Sequence, residues 1–558
     1  MTKQKVLESV AELKSLQSTR LSKYTRNYRL YESTRGITLD NLRNNNNVGY
    51  YKDSASYDTS PDISLNIIKS CTDTLTSDMA NIKARPYFST VNGSWKDIQI
   101  TKEAQRFFDQ YFEYDNIGKL VVDAFRDACI FDTGAIFVNP FLNKIEKLLP
   151  WQVFCRPAEA TYNNITRIYI EHKDYPTTLI PGYKGKQQYT TYGYYFDTIN
   201  HVKATLIADT DQVTISEYTA EMVPVLLLHY NTPITGTGCS SIADILASIQ
   251  VAINFLLNRY KDASQKNPAQ TFFVPQGSYI EAYKLNNEIG NIIAYATTSN
   301  MTSSPITVST PPFIDGQYLD GVLKLKDLAY EMVGISQSSA TGTKQKGITS
   351  GVMLQTMENV ENDRFQTQTD MVIRTYKDIC RIFMSVIDPN YDIMSASLYT
   401  SMFKWQDVVT LRNKMKLQFS TSDISSKDPS VKIQMIQMLM NTGLVSREML
   451  MQTMDLPDLD LSLNHENSCW NAVQKCINLC IESDVYDVPS FIPYPALTSE
   501  IVNTMMLLYA NNYDLNKESI RKLAKLFEVV YRKQERINEF LTTLPQANNL
   551  NNGGAVQQ

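Results

Sequence analysis

Apolar residues recur along most of this chain at helical spacing, and one long interval alternates instead. Residues 2–33, 64–83 and 96–129 carry apolar side chains three or four positions apart, which predicts amphipathic helices, the last of them broken near Asn116. From about 135 to 232 the chain is rich in Tyr, Thr, Ile and Val, alternates in polarity and is divided by turn residues. The chain is therefore expected to begin with helices and to continue with antiparallel strands.

Two further helices are predicted on either side of a short interval of strands and turns. The first covers 240–265, where the apolar stripe is unbroken and Ser241 and Asp244 have the Ser-x-x-Asp spacing of a helix cap. The second covers 316–335. The interval between them, 266–315, contains no helical pattern, so the two helices are expected to enclose a small β element.

The pattern becomes longer and more polar after the second of these helices. A loop of small polar residues over 336–349 precedes the longest helical pattern in the chain, 350–387, whose apolar positions are sparse in its first half. A long, half-polar helix favours packing between subunits more than burial in one core. Residues 393–422 are predicted to form a hairpin or two strands, and helices alternate with turns from 430 to 541.

Composition describes an ordinary globular chain. The protein has 558 residues and a mass of 63.5 kDa, with 43% hydrophobic and 20% charged residues, which excludes a wholly disordered or collagen-like chain. The formal net charge is −5, which disfavours a protein that clamps nucleic acid over its whole surface. With four histidines, the chain also offers little material for histidine-based catalysis or metal binding.

Cysteine spacing and the N-terminus indicate an intracellular, soluble protein. The eight cysteines are scattered and form no CxxC pair, so reduced and buried thiols are expected rather than a disulfide framework. Glu8 interrupts the apolar core that a signal peptide would need. The best candidate for a membrane span, 222–229, is too short to cross a bilayer.

Two stretches that contain glycine invite comparison with phosphate-binding loops. Residues 236–241 read Gly-Thr-Gly-Cys-Ser-Ser ahead of a helix, but a dinucleotide loop needs Gly or Ala at Ser241 and a βαβ series after it. Residues 342–347 have the glycine spacing of a P-loop, but Ile348 occupies the position of the lysine that neutralises the phosphates. We expect a simple helix-entry turn at the first stretch and no nucleotide site at the second.

Metal and hydrolase sites have no stronger support. A zinc set on the helix that carries His465 and Cys480 fails on distance, because those positions are about 22 Å apart on one helix. The histidines of the β-rich interval accompany no nucleophile elbow. The residues concerned are His465, Cys469, Cys476 and Cys480 for zinc, and His172, His201 and His229 for hydrolysis. No catalytic residue, cofactor or metal ligand is assigned.

Two segments keep two interpretations each. The methionines between Met435 and Met454 fit an adaptable core, or an interface that moulds itself to a neighbour. Lys344 and Lys346 lie in the small polar loop between two helices, where they are either ordinary exposed cations or the contact residues of a functional loop.

Several short stretches occur in a characteristic order along the chain. They are Ser64–Lys69, Lys83–Pro86, Asp123-Ala124 leading to Asp132–Gly134, Gly347–Val352 opening a helix through Glu361–Arg364, and Asn441–Glu448. With the elements between them, these stretches resemble the portal proteins of tailed bacteriophages, the head–tail connectors, and most closely those of short-tailed phages. The likeness covers about 60–540.

The resemblance implies an α+β, mainly α, portal fold with wing, stem, clip and crown, assembled as a ring. Mapped onto this sequence, the segments are 1–239 wing, with the β-rich region from about 135; 240–265 stem helix 1; 266–315 clip; 316–335 stem helix 2; 336–349 tunnel loop; 350–424 long wing helix and strands; 425–545 crown; and 546–558 a disordered tail. The crown is helical but lacks a long coiled-coil extension.

The resemblance also implies a structural function without catalysis. Portal proteins form dodecameric rings at one capsid vertex of the virion and are made in the host cytoplasm. Double-stranded DNA passes through the ring during packaging and ejection, and the ring binds the terminase large subunit, the major capsid protein, and adaptor, neck and tail proteins, with no membrane partner. The DNA-channel residues would be those of the tunnel loop, namely Thr341, Gly342, Thr343, Lys344, Gln345 and Lys346.

The acidic net charge is compatible with a DNA channel. Many fixed cations would hold the phosphates and slow translocation, so that a few lysines at the narrowest loop suffice. Two other functions stay open at this point. One is another head–tail connector or adaptor ring protein, which length and element order disfavour, and the other is an enzyme with a divergent site in the β-rich region.

Overall fold

The structure is a computed structural model, and it is mixed α+β and mainly helical, in agreement with the predicted class. It describes residues 2–33, 63–80, 82, 84–90, 94–161, 164–180, 183, 185–210, 212–232, 238–266, 271–273, 307–309, 317–335, 364–389, 391, 405–412, 414–421, 472–489 and 491–543. The chain divides into two compact units, which are described one at a time. The first unit is Met1–Ile82 with Phe112–Asp388, and the second is Lys83–Tyr111 with Pro389–Gln558.

The described helices and strands are numbered in chain order. They are α1 Lys3–Ser15, α2 Ser18–Glu32, α3 Ile67–Ala80, β1 Ala84–Thr90, α4 Trp95–Tyr114, α5 Ile117–Phe131, β2 Thr133–Asn139, β3 Lys144–Leu148, β4 Val153–Cys155, α6 Pro157–Thr161, β5 Arg167–Pro176, β6 Tyr189–Asp197, β7 Val202–Ile207, β8 Gln212–Glu217, β9 Val225–His229, α7 Ile242–Lys266, β10 Thr271–Phe273, β11 Thr307–Ser309, α8 Gln317–Val333, α9 Gln366–Val386, α10 Trp405–Leu411, β12 Met415–Thr421, α11 over 472–483 and α12 Tyr494–Thr543.

The predicted β-rich interval forms two antiparallel sheets in the first unit, which confirms the expected strand type. Their strand orders are β4-β5-β6-β7-β8 and β3-β2-β9. The sheets face each other through aromatic rings: Phe137 of β2 lies 5.5 Å from Tyr194 and 6.0 Å from Phe196, centroid to centroid. The opposite face of the larger sheet packs against Val6, Val10 and Leu13 of α1.

The first helical segment differs from its prediction. Residues 2–33 form two helices, α1 and α2, that meet at Leu16 and Gln17, instead of one. The Gln17 side chain is buried, and its amide donates a hydrogen bond to Cys155 O at 3.0 Å. A tertiary contact therefore interrupts a helix that the local pattern alone would continue. The break predicted near Asn116 is confirmed, because Asn116 adopts a left-handed conformation with φ 50° between α4 and α5.

A tight turn joins α5 to β2. Asp132 ends the helix with φ 85°, in the left-handed region, and its N–H donates to Ala128 O. At Gly134 the backbone passes so close to Ala124 O that any Cβ would fall inside the van der Waals radius of that oxygen. Glycine is required here by this close approach.

The helices predicted over 240–265 and 316–335 are present as α7 and α8, and they pack against each other. Beyond them β10 and β11 pair antiparallel, with Thr271 opposite Ser309. Residues 267–270, 274–306 and 310–316, which make up most of the predicted clip, lie outside the described residues. We call α7 and α8 together the hairpin.

The helix predicted over 350–387 is described in its second half only. It begins as α9 at Gln366, after a turn at the buried residue Phe365, and packs against α5, β2 and β9. Residues 350–363 lie outside the described residues. The same holds for the tunnel loop over 336–349, for the methionine-rich stretch 435–454 and for the tail 548–558.

Two corrections fall in the second unit. Residues 405–411, predicted within a β-hairpin or two strands, form the helix α10. Residues 84–90, which directly follow the helix predicted to end at Lys83 and for which no strand was predicted, form the strand β1. Strand β1 pairs antiparallel with β12, residue 84 lying opposite residue 421. Among the described residues β1 pairs only with β12, and a strand with one unpaired edge accepts Pro86. The strand depends on a partner more than three hundred residues away, which local pattern cannot reveal.

The second unit has its own core between α11 and α12, with Ile477, Cys480, Leu508 and Leu526 at its centre. The long α12 cannot be one straight rod. Gln474 reaches Glu500 at 2.7 Å, and the Cys480 thiol reaches Lys522 O at 3.5 Å.

Six helical residues span about 9 Å, whereas twenty-two span about 33 Å, so α12 bends sharply between its two contacts with α11. The side chain of Asn516 marks the bend, because its amide donates to Leu508 O, eight residues earlier, at 3.4 Å. The sequence predicts separate helices over 498–511 and 517–541, whereas the structure has one helix that bends between these two segments.

Candidate functional site

Large apolar side chains on both helices of the hairpin face solvent. On α7, Val251 is 59% exposed and Phe255 57% exposed. On α8, Leu323 is 52% exposed. The exposed apolar residues of the hairpin, which we call its outer face, are Val251, Phe255, Tyr318, Leu319, Leu323, Leu328 and Met332. Groups of large exposed apolar side chains on one element are typical of sites of contact with another molecule.

The inner side of α7 is the side that packs within the described part of the fold. Ile242, Leu246 and Ile253 are buried on that side, and α7 packs there against α2, α3 and α5. The helix has therefore already used one face for the fold. The opposite side of α7, which carries Val251 and Phe255, is exposed.

A row of three carboxamides on α7 fixes the chain segment ahead of α3. Gln250, Asn254 and Asn258 accept hydrogen bonds from alternate backbone N–H groups: Ile67 N at 2.9 Å, Leu65 N at 3.1 Å and Ile63 N at 2.9 Å. The spacings match, because four residues of helix rise about 6 Å and two residues of extended chain about 6.6 Å. We call these three side chains the amide ladder.

The beginning of α7 is held by a network of charges around Asp132. The carboxylate of Asp132 is 1% exposed and accepts a hydrogen bond from Lys23 Nζ at 2.7 Å, while Arg20 Nη2 lies 3.5 Å away. Arg20 also donates to Thr133 Oγ1 at 2.7 Å. We call this group, together with Asp244, the hub.

Asp244 closes the hub at the N-terminus of α7. Its carboxylate accepts hydrogen bonds from Lys23 Nζ at 2.9 Å and from Ser241 N at 3.0 Å, and it also contacts Arg26. Its own N–H donates to Ser241 Oγ at 3.1 Å. The predicted Ser241–Asp244 cap is therefore confirmed, and its carboxylate occupies the helix end where a bound phosphate would otherwise sit.

The pKa values in the hub follow from burial and charge pairing together. Burial by itself would lower the pKa of Lys23, but hydrogen bonds and ion pairs with Asp132 and Asp244 outweigh it and raise that pKa. Burial would raise the pKa of Asp244, but the hydrogen bonds from Lys23 and Ser241 outweigh it and lower that pKa. Both shifts favour the charged forms of Lys23 and Asp244, as expected for an ion pair.

One hydroxyl–histidine contact in the hub has the components of a catalytic pair. Thr133 Oγ1 lies 3.1 Å from His229 Nδ1 and 2.6 Å from Asp132 Oδ1. Thr133 is only 1% exposed, however, so the hydroxyl has no access to a substrate. Burial, with the nearby charge of Arg20, lowers the pKa of His229 to about 4, which fits a neutral core histidine.

The other sequence candidates are dispersed. Cys476 and Cys480 are buried in the core of the second unit, while His465 and Cys469 lie outside the described residues. His172 lies among Tyr175 and Tyr194, and burial lowers its pKa to about 4. Within the described ranges, no group of three or more His, Cys, Asp or Glu side chains could hold a metal ion.

The predicted channel residues Thr341, Gly342, Thr343, Lys344, Gln345 and Lys346 lie outside the described residues. Sequence reasoning did not identify the hub or the amide ladder. The ladder had a visible signal, because three carboxamides four residues apart are unexpected on an apolar helix. The hub had none, because its members come from segments more than a hundred residues apart.

One stretch of the described chain, Ile242–Lys261 of α7, is long and apolar enough to cross a membrane, and a third of it is buried within the protein. Its first turn carries Asp244 in the hub, and the amide ladder continues along it, which suits a helix of a packed fold. A scan of the chain against protein-family models and a search among curated proteins give no match.

Proposed function

We propose that this chain is the subunit of a portal-type ring, a head–tail connector through which double-stranded DNA passes at one capsid vertex. The observation that carries the proposal is the outer face of the hairpin. A pair of packed helices that is anchored on one side and apolar on the other needs neighbours. A ring supplies the same neighbour to every subunit by rotation.

The order of the elements around the hairpin also supports the proposal. In a portal, two stem helices enclose the clip, and a tunnel loop and a long helix follow the second stem helix. Here α7 and α8 enclose an excursion that is closed by the β10–β11 pair, and α9 follows after 336–363. In this proposal α7 and α8 are the stem helices, and 266–315 is the clip.

The proposed mechanism is geometric and needs no active site in this chain. The ring would nucleate one vertex of the capsid, bind the terminase large subunit while DNA enters, and afterwards bind adaptor, neck and tail proteins. ATP hydrolysis would belong to the terminase. The tunnel loop, with Lys344 and Lys346, would contact the DNA backbone.

Electron microscopy of the purified full-length chain tests the proposal most directly. We expect rings with a central hole, twelve-fold if the resemblance holds for symmetry. Phe255→Glu places a charge in the outer face and should leave single subunits. Ile199→Glu is the matched control, because Ile199 is 65% exposed in the turn after β6, far from either hairpin helix in sequence, and should leave rings intact. Monomers of the unaltered chain at high concentration would contradict the proposal.

The proposed DNA contact has its own test. Replacing both Lys344 and Lys346 by Gln should alter DNA packaging or the retention of packaged DNA without affecting ring formation. Packaged DNA is measured in particles assembled with the variant. Unchanged packaging and retention would exclude these two lysines as the channel contact.

A further inference from the structure

The two helices of the hairpin differ in the charge of their exposed sides. On α7 the exposed stripe is Ser248, Val251, Phe255 and Arg259, which contains one cation and no acid. On α8 the exposed ridge between the apolar residues carries three acids and one lysine, at a spacing of three or four residues. These are Asp320, Lys324, Asp327 and Glu331.

The cation of α7 is already oriented over the apolar stripe. The Arg259 guanidinium lies 5.0 Å from the centre of the Phe255 ring. Within the described residues neither Arg259 nor Asp320 forms an ion pair. A cation placed on an exposed aromatic ring, with no acidic partner of its own, suits a contact with a negatively charged surface.

Arg259 and Asp320 lie within about one helical turn of the same level of the hairpin. Gln250 accepts a hydrogen bond from the N–H of Ile67, the first residue of α3, and Tyr330 OH lies 3.3 Å from Ser70 Oγ, three residues further along α3. Positions 250 and 330 are therefore within about one helical turn of each other along the hairpin. The antiparallel β10–β11 pair indicates that α7 and α8 run in opposite directions. Nine residues forward from 250 and ten back from 330, about 14 Å and 15 Å of helix, therefore bring the two positions to similar levels.

We propose that the outer face of α7 packs against the outer face of α8 of a second copy of this chain, with Arg259 of one copy paired to Asp320 of the next. This inference rests on the proposed ring. In the proposed arrangement the hairpin is aligned along the ring axis. Rotation about that axis preserves the height of each residue, so residues at similar levels on the two faces meet between neighbours.

The charges favour this head-to-tail pairing over a symmetric one. Two α8 faces in contact would bring two acidic ridges together, and two α7 faces would join without an acid for either arginine. Like charges brought together at an interface oppose association. Pairing α7 with α8 avoids both arrangements, and a contact between two different surfaces continues from copy to copy until the ring closes.

Charge reversal at the two positions tests the pairing. The variants are Arg259→Glu, Asp320→Arg and the double variant, with Lys5→Glu on α1 as a control for loss of one exposed cation. Ring formation is followed against concentration by mass photometry and electron microscopy. Each single reversal should raise the concentration needed for rings by about tenfold or more. The double variant should return it to within about threefold of the unaltered chain, and the control should not change it.

The outcomes separate this inference from the proposed function. If the unaltered chain forms rings but the single reversals do not weaken them, or the double variant does not restore them, the pairing is wrong and the ring proposal stands. If the unaltered chain forms no rings, the proposed function fails. If it remains monomeric and floats with vesicles of phosphatidylcholine and phosphatidylglycerol, the outer face contacts lipid, and the inference is overturned.

Discussion

Helix α2 and the hairpin reverse the usual relation between polarity and burial. Helix α2 is rich in cations and hydroxyls, yet Leu21, Tyr24, Thr25 and Asn27 are buried, and the hub pairs its charges. The hairpin is rich in leucine, yet its outer face is open to solvent. The fold thus uses polar groups of α2 for an internal contact and leaves apolar groups of the hairpin exposed.

The two regions are suited to different processes, the buried ion network to folding of the single chain and the exposed apolar face to association between chains. A buried ion network has an exacting geometry, because each charge needs its partner once water is excluded, and it therefore fixes where α2 and the start of α7 lie. Burial of an apolar face needs no exact geometry, because any surface that removes the face from water makes a favourable contribution to the free energy. We infer that the hub fixes the positions of α2 and the start of α7 in the first unit, and that the outer face serves a contact between molecules.

The largest effect on folding is expected from Asp132→Asn in the hub. The substitution keeps the size of the side chain and tolerates the left-handed backbone, but it leaves the partly buried cations Arg20 and Lys23 short of one negative charge at a buried position. We expect the free energy of unfolding to fall by about 3–5 kcal/mol, measured by urea denaturation.

The matched control is Glu171→Gln, which breaks the more exposed ion pair with Lys14. That pair should contribute less than about 1 kcal/mol. Equal losses for the Asp132 and Glu171 variants would show that the hub behaves as an ordinary surface network, and the contrast between α2 and the hairpin would lose its basis.

The next effect is a loss of stability in mild acid. His229 and His172 have folded-state pKa values of about 4, below the usual value near 6.5, because burial opposes their charged forms. Between these limits the unfolded chain binds more protons, so stability decreases as the pH falls from about 6.5 towards 4. Each histidine should contribute a slope of up to about 1.4 kcal/mol per pH unit, measured by urea denaturation at a series of pH values.

His172→Phe isolates one of these two contributions, because His172 packs among aromatic rings, whereas His229 faces the hub. The variant should lose about half of the slope between pH 6.5 and 5. A slope that is unchanged would mean that the acid sensitivity arises elsewhere.

A smaller effect is expected at the other end of α2. Tyr31 OH donates to Asp73 Oδ1 at 2.9 Å and accepts from Arg126 Nη2 at 2.9 Å. Since the side chains of Asp73 and Arg126 are each 43% exposed, water can replace the hydrogen bonds that both form with the Tyr31 hydroxyl. Tyr31→Phe should therefore lower the free energy of unfolding by about 1 kcal/mol in urea denaturation. A loss as large as that of Asp132→Asn would place a second buried network here.

Local pattern predicted the elements that depend on their own sequence. The hairpin helices, the cap at Ser241 and the strands of the β-rich interval were all available from spacing and periodicity. Strand β1 was not, because its identity depends on pairing with β12, more than three hundred residues later in the chain. The outer face was visible in the sequence as an apolar stripe, but only the structure shows which side of α7 is buried.

The hub was beyond sequence reasoning for a different reason. The cations of α2 and the stretch Asp132–Gly134 were both noticeable, but their proximity depends on how α5 turns into β2. That turn requires the close backbone approach at Gly134 and the left-handed conformation of Asp132. Neither feature follows from periodicity, because both are consequences of packing.

The smallest effect on folding, and the sharpest test of the comparison, is expected on the outer face. Leu323→Gln removes an apolar side chain that is already half exposed in the single chain. Measured in urea at a concentration too low for rings, the free energy of unfolding should change by less than about 0.5 kcal/mol. At higher concentration the same variant should weaken ring formation, because burying the exposed half of the Leu323 side chain in an interface would contribute about 1 kcal/mol. Asp132→Asn should show the opposite order, with folding affected first. A Leu323 variant that destabilises the single chain as strongly as it weakens the ring would mean that the outer face already has an internal partner.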